Sequence, residues 1–225
     1  MQTPAERQLI HTLDEKLRSA AGFQRILNIG AAKSTVIEDA LKEAGVEFVC
    51  DRTDVQDCSV NVPYAGRCFV CPAEDMREIG NGEYDLVFAN YVMEHIQDVS
   101  KAAGEIARVL KPGGYFVATL ANPRAPEFVL SRHTPTEFHQ WVKGKGAGKE
   151  AYDVHYDYRN IAELKKKFSE KGLELKEALY FPFTYGYMYR FPVLKWFSRV
   201  YDVFIGILGI KYFMGQVCIT WRKID

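Results

Sequence analysis

The sequence predicts an α/β fold: a Rossmann-like, seven-stranded, mostly parallel sheet with helices on both faces and an aromatic-rich C-terminal cap. Three observations carry this. Short apolar runs alternate with stretches of helical periodicity. The runs are apolar throughout, as strands covered on both faces are. A turn of small residues leads from the first run straight into a helix. At 225 residues, 48% of them hydrophobic, the chain can bury a full core and reads as one domain over residues 1–225.

In chain order, Thr3, Pro4 and Glu6 supply an N-cap, a first-turn proline and a capping-box acid. Leu9, Ile10, Leu13 and Leu17 then share one stripe, so residues 1–22 form a leading helix. The cofactor-binding core spans 23–120. Arg25 to Ile29 reads as a strand, Thr35 with Glu38 caps a helix ending near Gly45, and Glu47 to Cys50 is a second strand. Cys68 to Cys71 and Tyr84 to Ala89 follow, then a helix from Ser100 to Leu110 stopped by Lys111-Pro112-Gly113-Gly114, and a fifth strand from Tyr115 to Leu120. Residues 121–225 hold the substrate side: a polar stretch with a mobile glycine and lysine loop at 143–149, a helix over 161–171, and strands over 173–180 and 216–222.

Twenty-nine basic and twenty-nine acidic residues cancel, so no global field draws the chain to nucleic acid. The N-terminus lacks the order of a signal peptide. The five cysteines make an odd set in a chain too long to need staples, which predicts reduced thiols and a cytoplasmic location. Cys68 and Cys71 lie three apart on a strand, on opposite faces, so they read as structural thiols rather than half a metal site. No metal ligand set is expected.

The first strand ends in Asn28-Ile29-Gly30-Ala31-Ala32-Lys33-Ser34, where small side chains let a ligand approach amides at a helix start. Asp51, with Arg52 beside it, stands 21 positions beyond Gly30 and reads as the end of the second strand. A carboxylate there accepts both hydroxyls of a ribose. An NAD site would use the same two features, but the turn lacks the three-glycine fingerprint.

Residues 24 to 120 resemble the small-molecule (type 11-like) branch of the class I S-adenosylmethionine-dependent methyltransferases. The segments that carry the resemblance are Ile26-Leu27-Asn28-Ile29-Gly30, Asp51, Ala73-Glu74-Asp75-Met76, Tyr84-Asp85-Leu86-Val87-Phe88-Ala89-Asn90, Met93-Glu94-His95 and Leu110-Lys111-Pro112-Gly113-Gly114. The resemblance implies S-adenosylmethionine as cofactor. Asn28, Gly30, Ala31 and Ala32 would face its methionine part, Asp51 its ribose, Ala73, Glu74 and Asp75 its adenine, and Asn90 with Tyr91 the sulfonium. The family usually carries an acid where Asn28 stands and more glycine where Ala31, Ala32 and Ser34 stand.

Methyl transfer from a sulfonium needs alignment and exclusion of water more than it needs a nucleophile. An oxygen or nitrogen acceptor can use a base of near-neutral pKa, and His133 and His155, beyond the fifth strand, are the candidates, with Tyr91 beside the methyl group. The implied acceptor is a small or lipid-linked molecule. The alternative is a cofactor- or partner-binding module without turnover. From 190 to 213, Val193, Phe197, Val200, Tyr201, Phe204 and Leu208 repeat at helical spacing, with Lys195, Arg199 and Asp202 off the stripe. The favoured reading is a lid packed on the sheet; the second is a peripheral membrane contact.

Overall fold

The computed structural model describes residues 2–20, 24–132, 155–188 and 192–224. Seven strands form one sheet in the order β3-β2-β1-β4-β5-β7-β6. They are β1 (Gln24–Ile29), β2 (Phe48–Asp54), β3 (Ala65–Val70), β4 (Tyr84–Asn90), β5 (Leu110–Ala121), β6 (Leu173–Phe181) and β7 (Gln216–Lys223). The first five run parallel, and β7 is antiparallel to both β5 and β6. The chain winds one way from β1 to β3 and the other way from β4, so the β1/β4 junction is the switch point where such sheets hold ligands.

Helices cover both faces. On one, α1 (Pro4–Ser19) and α2 (Val36–Glu43) set Leu9, Leu13 and Leu41 against Ile26, Phe88 and Val117. On the other, α3 (Val99–Val109) and α5 (Ile161–Ser169) pack with Ile106, Leu164 and Phe168 against Val87, Ala118 and Trp221. Phe168 and Trp221 stack with centroids 4.4 Å apart. The capping box of α1 forms: Glu6 N donates to Thr3 Oγ1 at 3.1 Å and Thr3 N to Glu6 Oε2 at 2.7 Å. A short α4 (Pro126–Arg132) follows β5. The connection from β6 to β7 holds α6 (Thr184–Tyr187) and α7 (Pro192–Leu208). His133 and the loop at 143–149 lie outside the described residues.

Three expectations need correction. The second strand does not stop at Cys50 but runs on to Asp54, so Asp51 sits inside it, opposite Leu27. Its polar residues Asp51, Arg52, Thr53 and Asp54 each find a tertiary partner. Cys58 and Cys68 are not free thiols: they are joined by a disulfide with Cα atoms 5.8 Å apart, because the β2–β3 connection folds back over β3. Cys50, Cys71 and Cys218 are free. Finally, the apolar stripe of α7 does not pack on the sheet as a lid but faces solvent, with Phe197 and Phe204 more than half exposed.

Asp51 is fully buried and holds three elements together. It accepts from Arg25 Nε at 2.9 Å, from the Arg67 amide at 2.7 Å, from Arg67 Nη2 at 2.8 Å and from Tyr84 Oη at 2.8 Å. Gly66 makes this possible, since a Cβ there would come within 2.1 Å of Asp51 Oδ1. Burial alone would raise the Asp51 carboxyl, but the hydrogen bonds from Arg25, Arg67 and Tyr84 outweigh it and hold the group below its usual range. A depressed carboxylate contributes stability that is present above roughly pH 4, the unfolded value, and is lost as pH falls through the folded one. Asp51→Ala is expected to cost about 2–4 kcal/mol in urea unfolding at pH 7, under the ~3–5 kcal/mol of a fully buried pair. Arg25 and Arg67 stay 42% exposed and keep part of their hydration. The difference from wild type should shrink as the pH is taken below 4.

Candidate functional site

A cleft of about 440 Å³ opens across the carboxyl ends of β1, β2 and β4. That volume lies in the range of small-ligand sites. Gly30, Asp54, Ala73, Asn90, Tyr91 and Ile96 are among its walls. Register explains the arrangement: Ile29 pairs with Thr53 on one side and with Ala89 on the other, so the residues that follow each strand emerge at one level.

Gly30 adopts φ +68°, and a Cβ there would meet Val92 Cγ2 at 2.4 Å. Only glycine brings the backbone this near to the segment after β4. The amides that were expected to face a ligand are engaged within the turn. Gly30 N and Ala31 N donate to the Thr53 carbonyl at 2.8 and 3.2 Å, and Ser34 N to the Ala31 carbonyl at 3.1 Å. Ala32, at φ 44°, donates its amide to Asp54 Oδ2 at 2.9 Å. The turn therefore offers the cleft a close backbone surface at Gly30 rather than a row of open donors.

The acid at the rim is Asp54, not Asp51. Asp54 is level with Gly30 and lines the cleft, while Asp51, three residues earlier, is sealed among Arg25, Arg67 and Tyr84. Besides Ala32, Asp54 accepts from the Gln56 amide at 3.0 Å. These two amides orient its carboxyl group at the cleft. Spacing from Gly30 could not separate the two acids, because it depends on where β2 stops.

Arg52 and Asn28 do not line the cleft either. Arg52 is buried, pairs with Glu38, and donates to the Ala31 carbonyl at 3.2 Å and the Cys58 carbonyl at 3.1 Å. Asn28 Nδ2 donates to Glu38 Oε1 at 2.8 Å. Both fix the turn instead of touching a ligand. Ala31 is buried in the turn and, with Ala32, shapes it. On the far wall Ala73 and Glu74 line the cleft, and Glu74 Oε1 accepts from the Gln97 amide at 2.9 Å. Asp75 is turned away to an exposed pair with Arg77.

At the β4 end, Asn90 and Tyr91 sit under the N-terminus of α1. Asn90 Oδ1 accepts from Thr119 Oγ1 at 2.6 Å and its Nδ2 donates to Glu6 Oε1 at 3.0 Å. Tyr91, at φ 55°, donates its amide to the Thr119 carbonyl at 3.1 Å, and its hydroxyl meets Thr3 Oγ1 at 3.0 Å. His155 lines the same cleft, its amide donating to the Glu94 carbonyl at 2.8 Å. His95 lines it too.

Residues 27–118 match the Methyltransferase domain family. Over this segment the chain is similar to methyltransferase domains. A ubiquinone biosynthesis O-methyltransferase of Bradyrhizobium sp. (strain ORS 278) is 35% identical over 85 residues, covering 34% of this chain and 32% of that protein. One from Acinetobacter baylyi is 23% identical over 178 residues, 75% of this chain and 70% of that one. The chain thus spans about a third of the Bradyrhizobium relative. Among solved structures, an S-adenosylmethionine-dependent methyltransferase from Mesorhizobium loti superposes with a TM-score of 0.61 at 13% identity, covering 97% of this chain and 98% of that one. At that identity the likeness speaks for the fold, and the sheet of this chain shares it.

The Met93-Glu94-His95 segment is a single 3-10 turn beside the cleft. Glu94 is buried, and its Oε2 has no hydrogen-bond partner among the described residues. Burial pushes its carboxyl from 4.5 up to about 7. A raised acid binds its proton more tightly in the folded state, so it lowers stability as pH rises from 4.5 to 7. Across that window the loss is on the order of 3 kcal/mol. Glu94→Gln is expected to flatten the curve of unfolding free energy against pH over this interval, as followed by urea titration.

Proposed function

We propose that this chain transfers a methyl group from S-adenosylmethionine to a small, apolar or lipid-linked acceptor. The observation that carries the reading is the cleft at the switch point of a methyltransferase core, with Gly30 and Asp54 facing each other at one level across β1 and β2. A nucleoside fits there on physical grounds. Gly30 leaves room for close approach, Asp54 offers oxygens to two ribose hydroxyls, and Ala73 with Ile96 gives apolar surface for a base. The ubiquinone biosynthesis O-methyltransferases among the relatives support a small-molecule acceptor.

The bound cofactor supplies a methyl carbon already activated by its sulfonium. With it in place, an acceptor lone pair would take that methyl while the carbon–sulfur pair passed to sulfur, and the acceptor's proton would need a base. What the chain adds is position. Asn90 and Tyr91, pinned by Thr119 and by the α1 cap, present fixed polar and aromatic groups at the end of β4. A tyrosine there can favour a cation by its ring face. His155 and His95, on the cleft wall, can act as the general base that takes the acceptor's proton.

Two tests follow. In titration calorimetry Asp54→Ala should weaken S-adenosylmethionine binding by about 1–3 kcal/mol, the scale of charged hydrogen bonds to ribose, whereas Asp51→Ala, measured where it is folded, should leave affinity unchanged. The reverse result would return the ribose site to Asp51. With labelled methyl donor and an extract of hydroxylated aromatic and lipid acceptors, His155→Ala should lower turnover by about 10² with cofactor affinity intact. Tight binding without any methylated product would point to a module without turnover, and binding of NAD in place of the donor would overturn the reading.

A further inference from the structure

We propose that the outer face of α7 docks on the surface of a lipid bilayer that carries anionic headgroups. The helix is built the wrong way round for a soluble protein. Asp202 and Ile205 are its buried side chains, whereas Trp196, Phe197, Val200, Val203, Phe204 and Ile207 are between 50% and 79% exposed. Ordinary amphipathic helices turn the apolar stripe inward, and a contiguous exposed patch of this size marks an interaction surface.

The rotation of the helix is fixed. Asp202 accepts from the amides of Thr184 and Tyr185 at 3.0 and 2.9 Å, capping α6, and Tyr201 Oη donates to the Phe213 carbonyl at 3.4 Å. Turning the stripe inward would break these bonds. The outward stripe is therefore the arrangement the polar contacts select.

Charge decides the occupant. Between residues 178 and 215 the sequence holds four cations, Arg190, Lys195, Arg199 and Lys211, against the single acid Asp202. That acid is buried. The surface around the stripe thus combines aliphatic and aromatic side chains with exposed positive charge, including Arg199 and Lys211, the pattern of a helix lying at an anionic lipid interface. No helix among the described residues is long and apolar enough to cross a membrane, so contact is by lying on it. Position agrees. Gln216, which opens β7, pairs with Ala121 and Phe181, the last residues of β5 and β6. The connection carrying α7 therefore sits beyond the same end of the sheet as the cleft. A membrane held there would bring lipid-dissolved molecules to the open side of the site. Vesicle binding does not rest on the methyl-transfer reading, so either can fail alone.

The test is co-sedimentation of the full chain with phosphatidylcholine vesicles and with mixed phosphatidylcholine and phosphatidylglycerol vesicles, alongside sedimentation velocity without lipid. The full chain should bind the mixed vesicles more tightly, and Trp196 emission, read against Trp196→Phe, should shift to the blue on binding. Phe197→Asp with Phe204→Asp, at exposed positions, should weaken binding by at least about tenfold with the circular-dichroism melt unchanged. Ile207→Ser should weaken it less, and Arg199→Glu with Lys211→Glu should abolish the preference for phosphatidylglycerol. Absent vesicle binding, binding untouched by the Phe variants, or a self-associated species that these variants dissolve in the absence of lipid binding would overturn the proposal, the last in favour of a second copy of the chain.

Discussion

The cleft depends on how the turn after β1 is tied to the end of β2. Three backbone donors of that turn, from Gly30, Ala31 and Ala32, close onto the Thr53 carbonyl and the Asp54 carboxylate. From beneath, the Arg52 guanidinium reaches the carbonyls of Ala31 and Ser34, with its charge met by Glu38. A buried cation without a partner is costly, and a turn of small residues without ties has many conformations. Arg52 and Glu38 answer both problems together, which is why two charges tolerate burial beside a binding cleft.

Two aspartates three residues apart on β2 divide the work that the sequence assigned to one. Asp51 points into the sheet's lower half, where it joins β1, β3 and β4 through Arg25, Arg67 and Tyr84. Asp54, at the level of the turn, is oriented by amides and opens on the cleft. Anchoring and ligand contact are thereby separated along one strand. The disulfide between Cys58 and Cys68 closes the β2–β3 connection next to Arg52, whose Nε donates to the Cys58 carbonyl.

The other side of the site is made by parts distant in sequence. The α1 cap, expected only to begin a helix, also reaches the end of β4, where Glu6 holds Asn90 and Thr3 meets Tyr91. One pair of capping residues so starts a helix and walls a cleft. At the far edge, Asp202 fixes α7 by capping α6, and the polar contact overrides the helix's own apolar pattern. Hydrophobicity alone would have rotated α7 the other way.

The order of strands and helices was legible because most of the parallel strands hold a short apolar run and caps such as Thr3 leave local signatures. The methyltransferase resemblance, the Gly30 turn and the small-residue wall at Ala73 were legible for the same reason, since each is written within a few consecutive residues. Which aspartate reaches the cleft, that Arg52 and Asn28 brace the turn, that Cys58 meets Cys68, and which way α7 faces were decided only in three dimensions. Each hangs on where a polar group finds its partner across 10 or more positions, as Asp202 does with Thr184 and Asp51 with Tyr84. Periodicity records which side chains avoid water, and it holds no record of the distant group that satisfies a buried charge.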